Sequence, residues 1–273
     1  MKYLNLGCGA YYSTNKEWVN IDFVSSEPNV IAHNLLKGIP FDNDTFDFVY
    51  HSHVLEHFTK KDGADFIKEC SRVLKKNGII RIAVPDLERI AREYLITLEA
   101  GIKEPDNEIA RANYEWMVLE MYDQTMRNSR GGEMGNYLHQ EVIINEKFVF
   151  NRIGEEGRAF RNEYLSKKTT SEPDTKNSIL SSLKQYLKSF ITSIKGIDEK
   201  AYAAGKFRFA GEIHQWMYDR YSLTQLLKQN GFEDIVVKDA FNSYLNNWSE
   251  YEIDGKNNVI RKPDSLFMEA RKK

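Results

Sequence analysis

The stretch Tyr3-Leu4-Asn5-Leu6-Gly7-Cys8-Gly9-Ala10 decides the fold. A short strand-like run ends at once in a Gly-x-Gly turn. Glycine lets the backbone turn sharply and approach a ligand at a distance a Cβ would forbid. A tight strand-to-helix turn would use the same residues, so the pair alone does not specify a ligand. The next run, Trp18-Val19-Asn20-Ile21, reads as a second strand and ends at Asp22, thirteen positions after Gly9. A carboxylate there can accept hydrogen bonds from both hydroxyls of a ribose. A lone Asp after a strand is commonly a cap or turn residue. Beside the glycine loop, the nucleoside reading overtakes that one.

Outward from this stretch, short apolar runs alternate with helical segments. Val30-Ile31-Ala32 is a weak third strand, Phe46 to Tyr50 a fourth, and Ile79 to Val84 a fifth, stopped by Pro85. Near-continuous apolar runs are the mark of buried parallel strands. A helix is predicted from about Lys60 to Lys75, with Ile67, Cys70, Val73 and Leu74 on its buried stripe. Thr59 is its expected N-cap, and Asn77-Gly78 its stop. Strands alternating with helices imply crossover connections. The expected fold class is α/β: a Rossmann-like, mostly parallel seven-stranded sheet with helices on both faces.

Beyond Leu87 the strand series ends. Ile90, Tyr94, Leu95 and Leu98 mark one amphipathic helix, and Ala110 to Met126 another. Residues 151–176 are polar, include Pro173, and read as a mobile loop. Ile179, Leu183, Leu187 and Ile194 mark a further amphipathic helix. Regular structure returns with Ser222-Leu223-Thr224-Gln225, read as a capping box opening a helix that Asn230-Gly231 closes. Ile235 to Val237 and Leu266 to Met268 are the final strands. The expected organisation is one domain, with a core of residues 1–86 and 208–273 and a helical insertion, or acceptor-binding lid, at 87–207.

Composition narrows the function classes. A chain of 273 residues with net charge −2 has no basic excess to suggest nucleic acid or an anionic membrane as partner. No apolar run approaches the ~18 residues of a membrane span. Met1 leads directly into the first strand, leaving no room for a signal peptide. Cys8 and Cys70 are two isolated thiols, so a reducing, cytoplasmic compartment is expected.

The kind of nucleoside follows from what the loop lacks. A dinucleotide fold wants a third glycine in Gly-x-Gly-x-x-Gly for pyrophosphate and helix packing, and that place holds Tyr12. The interval to Asp22 is also shorter than the ~20 residues of the dinucleotide fingerprint. Both differences favour S-adenosylmethionine, which has no pyrophosphate, over NAD, and they make a dehydrogenase a distant reading.

Four motifs in order carry a resemblance. Leu4 to Gly9 with Val19-Asn20-Ile21-Asp22 resembles the opening of type-11-like class I methyltransferases. So do Ile39-Pro40-Phe41-Asp42-Asn43-Asp44-Thr45-Phe46-Asp47, His53-Val54-Leu55-Glu56-His57, and Arg72-Val73-Leu74-Lys75-Lys76-Asn77-Gly78-Ile79. The resemblance covers residues 1 to about 86. It implies that Gly7 and Gly9 approach the methionyl part of S-adenosylmethionine and that Asp22 holds the ribose. Asn34 and Leu35 would lie beside the adenine, with Asn34 where the family usually has an acidic residue. Ser52 and His53 would form the lip where cofactor meets acceptor. It also implies a closing antiparallel strand at Ser265 to Ala270.

Methyl transfer needs mainly in-line positioning, because the sulfonium is already activated. A hydroxyl acceptor also benefits from a general base, most often His. Of six histidines, His33 reads as structural. His51, His53 and His57 cluster after the fourth strand but lack the partners of a known metal site, so no metal is expected. His57 would be an indirect partner beside Glu56. His139 closes a glycine-rich segment, Gly131 to Leu138. His214 lies in Gly211-Glu212-Ile213-His214-Gln215-Trp216-Met217-Tyr218-Asp219, which resembles a segment of methyltransferases associated with bacterial surface polysaccharides. His214 is the first candidate for acceptor contact or base and His139 the second, each against a hydrogen-bonded structural role. Asp86 reads as a helix cap more readily than as an acceptor contact. Ala83-Val84-Pro85-Asp86 is not the Asn/Asp-Pro-Pro-Tyr/Phe box of amino-directed methyltransferases. Tyr114, Trp116, Tyr122 and Trp216 could line an acceptor pocket, although core packing is the commoner fate of such residues.

The expected function is methyl transfer from S-adenosylmethionine, giving S-adenosylhomocysteine, to a small acceptor. A hydroxyl of a sugar, nucleotide-linked sugar or surface-glycan precursor comes first. An N- or lipid-directed enzyme and a catalytically degenerate cofactor-binding subunit are the alternatives.

Overall fold

The computed structural model describes residues 1–25, 27–170 and 198–273. Strands β1 (Tyr3–Leu6), β2 (Trp18–Asp22), β3 (Val30–Ala32), β4 (Phe46–Ser52), β5 (Leu74–Pro85), β6 (Phe232–Lys238) and β7 (Ser265–Lys272) form one sheet. Their order is β3-β2-β1-β4-β5-β7-β6. The first five strands run parallel. β7 is antiparallel to both β5 and β6, as the closing strand was expected to be. Strand order reverses between β1 and β4, and in open α/β sheets ligands bind at the carboxyl side of such a switch point. Gly7 and His53 both sit there.

The helices are α1 (Lys60–Val73), α2 (Leu87–Lys103), α3 (Glu108–Met126), α4 (Gly132–Leu138), α5 (Glu146–Thr170), α6 (Glu199–Arg208) and α7 (Arg220–Gln229). Among the described residues, no helix is long and apolar enough to cross a membrane.

Alternation along the strands separates two faces. Leu4, Leu6, Val49, Ile80 and Ile82 pack with Ile67, Cys70 and Val73 of α1 and Leu223 and Leu227 of α7. Tyr3, Trp18, Phe48, Tyr50 and Ile79 point the other way, against Leu245, Trp248 and Ile253. The β1–β2 connection contains no helix. Asn5 Nδ2 and Asn20 Nδ2 instead tie it back through Tyr11 O and Ser13 O, at 3.2 and 3.0 Å. A 3₁₀ turn at Trp248–Tyr251 covers this face, with Trp18 edge-on to Tyr3 and Tyr251 at 5.3 Å centroid separation. Arg81 lies fully buried in the same layer between Asp254 and Glu269, at 2.8 and 2.9 Å. Tyr50 donates its hydroxyl to Asp254.

Three sequence expectations shift. The first helix ends at Val73 rather than Lys75, because Leu74 pairs with Phe46 and joins β5. Asn77, at φ 62°, then lies inside β5, where the register to β4 slips. Asp219, not Ser222, caps α7: its carboxylate accepts from Ser222 N at 2.7 Å, while Ser222 Oγ accepts from Asp219 N at 3.0 Å. The box exists with Ser222 as its far member.

The largest change concerns the expected loop at residues 151–176, of which 151–170 are helical, in α5. Their polarity is that of a helix with much of its surface in solvent, not of a loop. Arg152 is buried and pairs with the buried Glu120 of α3, which also accepts from Trp116 Nε1 at 3.0 Å. Residues 171–176 and the expected helix at Ile179 to Ile194 lie outside the described residues. Helices α2 to α5 share their own apolar cluster, with Ile90, Trp116, Met117, Met134, Leu138 and Val149 at its centre. Leu95, expected on the buried stripe of α2, is 57% exposed.

Candidate active site

The glycine loop is held by the sheet itself. Gly7 N and Cys8 N both donate to Ile21 O of β2, at 2.8 and 3.1 Å. Gly7 adopts φ 66°, and a Cβ there would lie 2.3 Å from Val54 Cγ2. Only glycine meets both conditions. Gly9 has φ 53° and open space where its Cβ would be. Asp22 accepts from Gly9 N at 2.7 Å through Oδ2. Its Oδ1 makes only a 3.5 Å contact with Val24 N. A carboxylate has about four lone-pair sites, so Asp22 keeps capacity for further donors.

Beyond the loop lies a cavity of about 380 Å³. Gly7, Gly9, Ser52 and His53 line it, together with Tyr11, Asp254, Arg261, Lys262 and Glu156. Asp22, Asn34 and Leu35 are not among its walls. Asn34 accepts from Leu36 N at 3.0 Å and caps the 3₁₀ turn Leu35–Lys37. Phe23, Val24 and Leu36 stand 69%, 70% and 63% exposed at the ends of β2 and β3. Cys8 and Cys70 are free and buried. Burial above all pushes the Cys8 thiol up to about 12, so neither its pairing nor its ionisation contributes here.

A second cavity, of about 420 Å³, adjoins the first and shares His53, Glu156 and Lys262 with it. Its other walls include His57, Gln124, Arg127, Phe160, Glu212, His214 and Asp264. Two local devices build it. Gly154 breaks the helical path of α5 at φ 64°, ψ −148°. A Cβ there would lie 2.3 Å from Arg261 O. The break brings Glu156 to Lys262, at 2.8 Å. The second device is the return segment before α7. Gln215 N and Trp216 N donate to Glu56 O at 2.7 and 3.2 Å, and His57 Nδ1 pairs with Ile213 O at 3.1 Å. His214 N donates to Gln124 O at 2.9 Å.

These bonds bring His214 beside the 3₁₀ turn Leu55–His57, its ring 5.0 Å from that of His57. Glu56, fully buried, lies among three histidines, with His53 Nδ1 3.2 Å from its Oε1. Burial opposes ionisation of Glu56, yet His53 first, then His214 and His57, hold its carboxyl far below the usual range. Burial drives His214 down to about 3, keeping the imidazole neutral. His53, at φ 53°, turns its Nε2 to Ser265 Oγ at 2.8 Å.

The other histidines stand apart. His51 is buried against Phe66 inside β4, lowered to about 4 mainly by burial. His33 bonds Gly38 O at 2.9 Å. His139 stacks on Tyr164 and Phe160, at 3.6 and 5.4 Å, and lines neither cavity. Asp86 caps α2 by accepting from Arg89 N at 3.2 Å. Trp116 is core, and neither Tyr114, Tyr122 nor Trp216 lines a wall of these two cavities. Sequence reading missed Glu156, Lys262 and Gln124. It placed Glu56 beside His57 without its link to His214, a contact across more than 150 residues.

The methyltransferase-domain family, type 11, matches residues 4–82. This stretch is similar to methyltransferase domains. It contains the glycine loop, Asp22, Ser52, His53 and Glu56, and S-adenosylmethionine is the cofactor of the enzyme it builds. No curated protein matches the chain. Among solved structures, an S-adenosylmethionine-dependent methyltransferase of Thermotoga maritima is 12% identical, covering 100% of this chain and 82% of its own, at TM-score 0.37. One of Archaeoglobus fulgidus is also 12% identical, over 99% of this chain and 86% of its own, at TM-score 0.37. The matched stretch ends before α2, so most walls of the second cavity lie outside it.

Proposed function

We propose that the chain methylates a hydroxyl of a small, hydroxyl-rich acceptor: a sugar, nucleotide-linked sugar or glycan precursor. The observation that carries this reading is the junction of two cavities at His53, Glu156 and Lys262. In it, the glycine loop and Ser52 hold the methionyl part of the cofactor, and Asp22 accepts from the ribose hydroxyls. Exposed Phe23, Val24 and Leu36, with half-buried Leu35, form the apolar bed for the adenine, while Asn34 fixes the turn carrying two of them. Bound S-adenosylmethionine supplies an electrophilic methyl group.

The second cavity mixes donors and acceptors, Gln124, Arg127, Glu212 and Asp264, with the ring of Phe160. Pro85, Met134, Leu138 and Ile153 give it apolar walls as well, and the two kinds together suit a polyhydroxylated ring, whose C–H faces and hydroxyls call for both. His214 is assigned to contact the reacting hydroxyl and take its proton. It lines the cavity, and its Nδ1 has no hydrogen-bond partner among the described residues. His139 keeps no part in this proposal. Helices α2 to α6 are proposed as the acceptor-binding lid.

The test is transfer of labelled methyl to a panel of sugars, nucleotide-linked sugars, amines and lipid alcohols. Turnover confined to hydroxylated sugars supports the reading. Turnover confined to amines or lipids overturns it. Thermal stabilisation by S-adenosylhomocysteine without turnover of any acceptor would favour a cofactor-binding regulatory subunit instead. His214→Ala should lower turnover about 10²–10⁴-fold with S-adenosylhomocysteine affinity unchanged; wild-type turnover would remove His214 from the mechanism.

A further inference from the structure

Glu56 is a buried carboxylate that the fold leaves unexplained. It is fully buried, and among the described residues neither carboxylate oxygen has a hydrogen-bonded donor. His53 Nδ1 lies within ion-pairing distance of Oε1, at 3.2 Å, but off the bonding direction. His214, 5% exposed, also leaves Nδ1 without a partner. Buried polar atoms are otherwise nearly always satisfied, and an exception calls for a role or an absent ion.

We propose that Glu56, His57 and His214 bind a divalent first-row transition-metal ion at the wall of the second cavity. One ligand atom from each lies within 4.8 Å of the others. Atoms bound ~2 Å from a shared ion lie at most ~4 Å apart, so small ring rotations close the set. Two imidazoles and one carboxylate, with positions left open, are a known ligand set for such ions. His57 is already oriented for it: Nδ1 faces Ile213 O, which leaves the lone pair on Nε2. A backbone carbonyl holding the far nitrogen is how ligating histidines are usually fixed. His53 lies beside the carboxylate, its Nδ1 3.2 Å from Oε1.

This inference rests on the reading of the second cavity as the acceptor site and deepens it. His57 and His214 line the second cavity, so an ion held by them would be reached from it and would take vicinal hydroxyls of the acceptor. Such an ion would polarise the reacting hydroxyl, whose proton would leave to solvent; His214 would then serve as its ligand, and this would replace the base role assigned to it above.

The experiment is calorimetric titration of the metal-stripped full chain with Zn²⁺, and Co²⁺ absorption spectroscopy on the same protein. One Zn²⁺ per chain is expected, with visible Co²⁺ bands of a mixed nitrogen and oxygen site. Glu56→Gln and His57→Ala should each weaken Zn²⁺ at least about 100-fold, with folding checked by circular dichroism. His139→Ala, which changes a histidine outside the cluster, should bind as wild type. Wild-type Zn²⁺ affinity in both cluster variants, or absence of binding to the wild-type chain, overturns the site. Metal binding without turnover of any hydroxylated acceptor keeps the site and removes the acceptor reading. Turnover indifferent to chelation, with no metal bound, does the reverse.

Discussion

The two cavities share three residues yet are built by opposite means. The first is shaped by backbone. Strand ends, two left-handed glycines and amide bonds to Ile21 O form its loop wall beside β1 and β4, while Asp254, Arg261, Lys262 and Glu156 close the far side. The second is shaped by side chains and by contacts between distant segments: Glu156 to Lys262, His57 to Ile213, His214 to Gln124. Each has a buried ion pair nearby, Arg81 with Asp254 and Glu269 for the first, Arg152 with Glu120 for the second. A backbone-built site tolerates little change in shape, whereas a side-chain-built site can be remodelled residue by residue. That contrast suits a fixed cofactor and a variable acceptor.

The largest predicted effect breaks the first side. Arg81→Ala leaves Asp254 and Glu269 buried without a counter-charge, and should lose about 3–5 kcal/mol in urea denaturation. A loss below about 1 kcal/mol would mean that the triad does not hold this layer. Next, Asp22→Ala should weaken S-adenosylhomocysteine by about 1–3 kcal/mol, roughly 5- to 150-fold. Its acceptor KM should stay unchanged, and a shift in that constant alone would erase the division between the cavities. Gly154→Ala is the mirror case. A Cβ at φ 64° strains the backbone by about 1–2 kcal/mol and meets Arg261 O. Acceptor KM should rise while S-adenosylhomocysteine affinity stays put; equal loss of both would show the two cavities to be one unit.

The smallest effect lies on the surface of the methyltransferase domain. Glu69 accepts from Arg72, which lowers its carboxyl, and from Ile39 N. A lowered carboxyl stabilises the fold above its unfolded value of about 4.5 and loses that contribution as pH falls through the folded value. Glu69→Gln should therefore lose under about 1 kcal/mol at pH 7. The gap to wild type should close as pH falls from about 4.5 through the lowered folded value; a gap that persists in acid would place the contribution in packing.

The same contrast explains what the sequence reveals. Gly7, Gly9 and Asp22 are legible because strand, turn and carboxylate are neighbours in the chain, and glycine announces backbone geometry. Ser52 and His53 follow from the end of β4. His214 was legible only as a candidate: nothing in the order of residues places it on Glu56, more than 150 positions away. Gly154 sits among polar residues that suggest a loop, and its role depends on Arg261 O, which no local pattern encodes. The shift from Ser222 to Asp219 as cap of α7 is a smaller case, since both residue types cap and only the backbone decides.

One feature of the sheet bears on how such a protein can change. β5 and β7 are bonded neighbours, yet about 180 residues separate Pro85 from Ser265. Without α2 to α6 that excursion would be about 60 residues. The entropy of closing a flexible loop grows only with the logarithm of its length, about 0.6 kcal/mol per doubling. Carrying the whole helical segment therefore burdens the β5–β7 closure by only about 1 kcal/mol. A lineage could lengthen, shorten or exchange that segment while the strands of the sheet still find one another.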